Sequence, residues 1–285
     1  MAEMGIVPVL VILTTLKGRP AESMSGNGTD EMTEPDIYGL LVWVIFGLAV
    51  ATFLYLLRRP APYGRHYQGY GWGPTVSSKV GWIGMECPAV FLFLFVYLQG
   101  SARWSLVSLV FLAMWQSHYL NRTLIYPFRT RTKRRMPLVV AGSGFFFNVL
   151  NAYVNARFVS HHGEYGVSWL SDPCFLIGLA FFVGGMFLNM HSDNILLSLR
   201  KQGRTGYVVP DRGAFRYVSC PNYLGEILEW TGWAIATWSP GGLAFCVCTV
   251  ANLVPRARSN HRWYRERFPD YPPNRHALIP GASGA

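Results

Sequence analysis

Seven long apolar segments, at roughly 37–57, 80–99, 104–125, 137–159, 173–197, 222–238 and 240–255, constrain this chain more than anything else in it. Most approach the roughly 20 residues that a helix needs to cross a bilayer. With 51% hydrophobic, 15% aromatic and only 14% charged residues, the chain is too apolar for a soluble enzyme of 285 residues. It is expected to be an all-α, polytopic membrane protein with seven transmembrane helices. The last two segments are short, and Ser239-Pro240-Gly241-Gly242 between them reads as a turn that makes a tight helical hairpin.

Residues 1–36 read as an N-terminal extension, leaving 37–285 as one membrane domain. The apolar run 4–16 is too short for a span and has no basic region before it, so a cleaved signal and an interfacial helix both stay open. The stretch 19–36 has the Gly/Ser/Glu/Asp composition of a flexible segment.

A net charge of +10 would suggest nucleic acid in a soluble protein. Here most of the 25 Lys and Arg lie in the first, third and fifth connections and in the tail after 255, whereas the intervening connections hold only Arg103 and Arg157. That alternation is a topology pattern, and it places the basic side in the cytoplasm, the N-terminus outside and the C-terminus inside. Asp30, Glu31, Glu34 and Asp36 agree with an outer N-terminus. Neither nucleic acid nor an obligate protein partner is called for. A bacterial inner membrane and the endoplasmic reticulum fit equally. The five cysteines lie in or beside apolar runs without CxxC or zinc spacing and read as reduced packing residues.

Polar residues inside the spans need a reason, because a charge at the bilayer centre costs about 2.5–3.5 kcal/mol on insertion scales. Glu86 sits well inside the second segment with no basic residue one turn away. A buried, unpaired carboxyl is held more cheaply in its neutral form, which can donate a hydrogen bond; pairing to a neighbouring helix for packing alone is the other reading. In the third segment Tyr119, Arg122 and Tyr126 share a face, with His118 one turn before Arg122. Asn148, Asn151 and Asn155 make a stripe on the fourth that reads as interhelical hydrogen bonding or a site wall. Where the fifth segment turns polar without a helix breaker, Asn189, Asp193, Leu196 and Arg200 line one face, a candidate binding surface.

The sixth segment places Asn222, Glu226 and Glu229 on one face, and arginines from the connections and tail are expected opposite them. Arg256, Asn260 and Tyr264 recur at helical spacing on a tail segment, 255–268, that reads as an amphipathic cytoplasmic helix. Such a set of arginines, amides and phenols suits a large anionic cofactor, since guanidinium forks match phosphate oxygens. No GxGxxG follows a strand-like run and no P-loop lysine is present, so a nucleotide would bind outside the Rossmann mode. Gly184-Gly185 reads as helix packing. His118, His191 and His261 form no HxxxH or HExxH pair, and no metal is expected.

The run Asn189-Met190-His191-Ser192-Asp193 with Leu199-Arg200-Lys201, the run from Tyr217 through Ser219-Cys220-Pro221-Asn222 to Trp230, and the ending Phe268-Pro269-Asp270-Tyr271-Pro272 to Pro280 closely resemble the steroid 5α-reductase family. His118-Tyr119-Leu120-Asn121-Arg122-Thr123 and the surroundings of Glu86 fit as well, so the resemblance covers about 37–280. It implies a seven-span enzyme that uses NADPH to reduce the 4,5 double bond of a 3-oxo-Δ4 steroid. By position, Glu86 and Tyr119 correspond to the pair that hydrogen-bonds the 3-oxo group. Asn189, Asp193, Arg200, Tyr207, Asn222, Glu226, Arg256 and Tyr264 correspond to cofactor-side positions, and Arg122 and Trp82 to residues lining the site, Arg122 facing the cofactor and Trp82, near Glu86, the substrate. Asn260, also on the cofactor side, stands where animal members have histidine, and the third connection, 129–136, is more basic and of different length.

The residues suit that chemistry on their own terms. Hydride delivery to an enone β-carbon builds negative charge on the carbonyl oxygen, and a phenol with a neutral carboxyl in a dry site can stabilise it. Two other classes stay open. The tail also resembles that of isoprenylcysteine methyltransferases, which take S-adenosylmethionine but have no evident use for Glu86 with Tyr119; a seven-span transporter or receptor would leave the Asn/Asp/Arg and Asn/Glu/Glu faces without an anion.

Overall fold

The computed structural model describes residues 32–67, 71–130, 134–201 and 207–281, without the side chains of Arg200 and Lys201. The run 4–16 and most of the polar stretch after it lie outside the described residues. Helix α1, Glu34–Arg58, begins inside that stretch: Thr33 donates from its N–H and Oγ1 to the Asp36 carboxylate (3.0 and 2.6 Å), and Pro35 sits in the first turn. Capping therefore draws 34–36 into the helix despite their composition.

A two-stranded antiparallel ribbon, β1 Thr75–Ser77 with β2 Arg135–Pro137, ties together the starts of α2, Ser78–Tyr97, and α5, Leu138–Arg157, which pack along each other. Between them α3, Leu106–Leu120, passes into a π-helical turn, Asn121–Ile125, and the short α4, Tyr126–Arg129. Helix α6, Pro173–Lys201, runs unbroken through its polar end and packs against α7, Pro221–Thr237. Helix α8, Pro240–Arg267, lies against α1 and α7.

The seventh apolar segment and the amphipathic tail are thus one helix, because Pro255 removes a single N–H from the ladder and the chain stays helical through it. The hairpin turn is tighter than its composition suggested: Trp238 alone takes a left-handed conformation (φ 45°), Ser239 caps α8 by accepting from Gly242 N–H, and Pro240, Gly241 and Gly242 are already helical.

All seven apolar segments are helical, and four helices, Glu34–Arg58, Ser78–Tyr97, Leu138–His162 and Pro173–Leu199, are long and apolar enough to cross a membrane. Their outer faces carry exposed Trp43, Phe91, Phe95, Phe146 and Phe187. Aromatic rings fill the interior: Phe93 stacks on Trp115 at 4.4 Å, and Trp115 meets Trp230, Trp233 and Phe245. Where no water reaches, each indole N–H needs a partner. Trp115 donates to the Ala89 carbonyl (2.7 Å) and Trp233 to Asn155 Oδ1 (2.8 Å).

Candidate functional site

Glycines bring α6 and α7 together. Gly178 and Gly185 on α6 face Gly232 and Gly225 on α7, and a Cβ at any of the four would meet the backbone of the opposite helix. Of the Gly184-Gly185 pair, only Gly185 packs; Gly184 faces open space.

Within this seam the two polar faces interlock. Asn189 Nδ2 donates to the Asn222 carbonyl (2.9 Å) and Asn222 Nδ2 to Asp193 Oδ1 (3.2 Å). Arg122 closes the network, with Nη1 3.2 Å from Asp193 Oδ2 and Nη2 3.4 Å from Glu226 Oε2. The arginine opposite these carboxylates therefore comes from the third apolar segment, and not from a connection or the tail. Glu229, fully buried, takes His118 instead, with Nδ1 2.8 Å from Oε1. A charge in the bundle is neutralised by whatever cation the helix facing it carries, and here that helix is α3.

A π-helical turn runs through the expected stripe. Tyr126 N–H reaches back to the Asn121 carbonyl, and the Arg122 carbonyl accepts from Trp82 Nε1 (3.1 Å). Arg122 lies over the rings of Trp82 (4.8 Å) and Tyr126 (5.2 Å), whereas the Tyr119 ring is buried among Trp115, His118 and Trp230.

Above this floor opens a cavity of about 750 Å³, where the first, third and fifth connections and the start of the tail meet. Trp82, Arg122, Asp193 and Asn222 line its depth; Tyr207, Arg256, Asn260 and Tyr264 line the rest. Asn189 and Glu226 lie beneath as bonding partners of the floor. The Arg200 side chain is outside the described residues.

The first connection adds residues whose role the sequence did not reveal. Arg256 lies over the rings of Tyr63 (4.9 Å) and Tyr223 (5.0 Å) and donates to the Tyr223 hydroxyl (2.9 Å). Asn260 meets His66 through its Oδ1 (3.1 Å) and Tyr223 through its Nδ2 (3.4 Å). Burial lowers the His66 pKa, so the ring is neutral near pH 7, and pushes Tyr63 up to about 12. The only hint of these residues was Tyr63-Gly64-Arg65-His66 itself, aromatic and basic around a glycine.

The donor set fits a large anion. Among the described residues, five cationic side chains but a single carboxylate, Asp193, line the cavity. Arg256 meets only the neutral oxygens of Tyr223 and Asn252, and Arg65 Nη1, shielded from solvent, has no hydrogen-bond partner among the described residues.

Glu86 lies one turn beyond Trp82 on α2 and Tyr119 one turn before Arg122, so each is one helical turn from a residue of the cavity wall, and neither lines the cavity itself. Asn148 on α5 donates to Glu86 Oε2 (3.3 Å) and to the Met85 carbonyl (2.8 Å), which makes the asparagine stripe interhelical and gives Glu86 a neutral partner. No hydrogen bond joins Glu86 to Tyr119 among the described residues. His191 stacks on Phe187, and His261 bonds Ser219 Oγ at 2.6 Å.

Comparison with known proteins adds sequence relationships to this geometry. Residues 134–282 match the family model described as 3-oxo-5-alpha-steroid 4-dehydrogenase. A steroid 5-alpha-reductase of Solanum lycopersicum is 44% identical over 252 residues, 87% of this chain and 98% of that protein. The 3-oxo-5-alpha-steroid 4-dehydrogenase 1 of Rattus norvegicus is 39% identical over 252 residues, 88% of this chain and 97% of that protein.

Proposed function

Because the chain belongs to the 3-oxo-5-alpha-steroid 4-dehydrogenase family, and so is an oxidoreductase acting on steroids, we propose that it reduces the 4,5 double bond of 3-oxo-Δ4 steroids to 5α-steroids with NADPH. The observation that supports this reading is a guanidinium-lined cavity whose wall residues Trp82 and Arg122 stand one helical turn from Glu86 and Tyr119. The family's nicotinamide cofactor, when bound, supplies the hydride.

The chain's own residues do the rest. Tyr119 and Glu86 donate hydrogen bonds to the 3-oxo oxygen, and these strengthen as negative charge moves onto it. Asn148, as donor to one Glu86 oxygen, leaves the other to carry a proton. A proton that comes ultimately from solvent then adds at the α-carbon, completing the saturated ketone with the two hydrogens gained. Arg122, Asp193, Asn222 and Arg256 hold the cofactor, with Asn189 and Glu226 fixing the floor from below, and Trp82 borders the substrate beside Glu86. The aromatic core around Trp115 and Trp230 excludes water. A flat lipid-like substrate enters from the membrane, with seven crossings, an outer N-terminus and the cofactor cavity on the basic, cytoplasmic side.

The test is direct. Detergent-purified protein incubated with NADPH and a panel of 3-oxo-Δ4 steroids is expected to give products heavier by two hydrogens, read by mass spectrometry. Cofactor binding without reduction of any panel member would refute the substrate assignment, and a thermal shift with S-adenosylmethionine but none with NADPH would refute the reductase reading.

A further inference from the structure

A second cavity opens at the other end of the bundle, and none of its lining enters the proposed reaction. Thr237, which lines it, stands about 22 Å along α7 from Asn222 in the first cavity. Its volume is about 340 Å³, within the roughly 300–1,000 Å³ of small-ligand sites. The walls come from a second π-helical turn, Phe158–His162, that extends α5, from the connection that follows it, and from Trp238 at the end of α7.

Those walls are largely aromatic. The Tyr165 ring lies 6.4 Å from Phe158 and 5.6 Å from Trp169. The polar atoms of two rings are engaged elsewhere: the Tyr165 hydroxyl donates to the Thr237 carbonyl, and Trp169 Nε1 to the Ala236 carbonyl (2.9 Å). These bonds cap the last turn of α7 and leave the rings' carbon surface for the cavity. The Phe158 carbonyl is also taken, by Gly163 N–H (2.7 Å). Trp238 completes the box from a left-handed backbone, φ 45°, where glycine would end the helix without strain.

The charge of the site has one sign. Glu164 is the only carboxylate in the lining, which holds no Lys or Arg among the described residues. Nearby Arg157 is taken by Glu34, so no described residue pairs with Glu164. His162 Nε2, shielded from solvent, has no hydrogen-bond partner among the described residues. Ring surface with a single carboxylate suits a cation, and with the carbonyls around it already engaged that cation should carry no N–H. A primary ammonium would need acceptors for three. A quaternary ammonium needs none.

The cavity also stands where lipid headgroups are expected. The connection before α3 bonds the same turn, Ala102 N–H donating to the Ser160 carbonyl (2.8 Å), and it leaves Trp104 exposed, as does the cavity's own connection Val167. Exposed tryptophan at the end of membrane helices marks the interface. We propose that this cavity binds the choline headgroup of phosphatidylcholine: the trimethylammonium lies among Phe158, Tyr165, Trp169 and Trp238 beside Glu164, and the phosphodiester accepts from His162 Nε2. The site ties one end of the bundle to a zwitterionic lipid, and it does not rest on the reductase reading.

The experiment reads lipid retention. Full-length protein in detergent is given equal amounts of phosphatidylcholine and phosphatidylethanolamine with the same acyl chains, and native mass spectrometry compares the lipid that stays bound. Wild type is expected to prefer phosphatidylcholine by about 3- to 30-fold. Trp238→Gly, which relieves the left-handed backbone and removes one ring, is expected to keep its melting temperature or raise it and to lose most of the preference. Glu164→Gln, at an exposed position, is expected to reduce the preference by about threefold or more, and it carries the comparison if the glycine variant fails to fold. Choline and short-chain phosphatidylcholine, added as competitors, separate a soluble ligand from a lipid, and choline is expected to displace bound lipid only at far higher concentration. Equal retention of the two lipids, or a preference unchanged in both variants, would overturn the site. Displacement by choline as effective as by short-chain phosphatidylcholine would overturn its assignment to a lipid.

Discussion

Tyr119→Phe separates mechanism from architecture. The Tyr119 ring is buried against Trp115 at 4.8 Å and Trp230 at 5.5 Å, and phenylalanine keeps both contacts. No hydrogen bond joins its hydroxyl to another described residue, so removing the oxygen orphans no partner. The folding cost should stay within about 0.5 kcal/mol, as for a substitution outside the destabilising mechanisms. The catalytic cost should be much larger, because the hydroxyl acts only as charge builds on the substrate oxygen. Loss of one such donor lowers turnover by about 10²–10³, roughly 2.7–4 kcal/mol. Steady-state reduction of a 3-oxo-Δ4 steroid at saturating NADPH, beside a thermal melt of the same preparation, reads both quantities. Glu86→Gln extends the test: glutamine can still accept from Asn148 with its oxygen and donate to the substrate with its nitrogen, so it should keep part of the activity that Glu86→Ala loses. Wild-type turnover in both Tyr119→Phe and Glu86→Ala would show that the pair is structural, and the mechanism would fall.

Three other perturbations test the frame around that pair. A Cβ at Gly225 would sit 2.5 Å from the Asn189 backbone nitrogen, so Gly225→Ala should destabilise by about 1–3 kcal/mol in a thermal melt, whereas Gly184→Ala, facing open space, should be close to neutral or better. Arg122→Met removes the guanidinium that Asp193 and Glu226 share and should cost roughly 3–5 kcal/mol; equal stability of the variant would mean that this ion pairing contributes nothing to the fold. For His66, the unfolded ring takes its proton at the ordinary value and the folded ring only at a lower pH, so between these values the unfolded state holds more protons and stability rises with pH. Apo-protein melting temperatures should therefore fall as pH drops below about 6.5, and His66→Gln should flatten part of that decline; an identical slope in the variant would refute the assignment.

The seven helices, the polar faces of α6 and α7 and the Arg256, Asn260, Tyr264 stripe were legible because helical periodicity is a local property. Partners were not. Glu86 looked unpaired since its neighbour Asn148 lies on another helix, and the arginine for Glu226 was sought in the loops since nothing in Gln116-Ser117-His118-Tyr119-Leu120-Asn121-Arg122 announces a π-helical turn. Thr33 and Asp36 held a capping box that composition hid, and Arg65 counted only toward topology because the path of a loop over a cavity depends on contacts such as that of Arg134 with Gly64. What the assembled site adds is uneven compensation. At the floor Arg122 is matched by two carboxylates, and beneath it Glu229 is matched by His118; elsewhere on the wall Arg256 meets neutral oxygens and Arg65 has an N–H with no acceptor among the described residues. A ligand that is neutral at one end and anionic along the rest of its length is held best in one direction by such a cavity. Reduced nicotinamide is uncharged while the phosphates behind it are not, so on the proposed function the same charge pattern that binds the cofactor would also turn its reactive ring toward Glu86 and Tyr119.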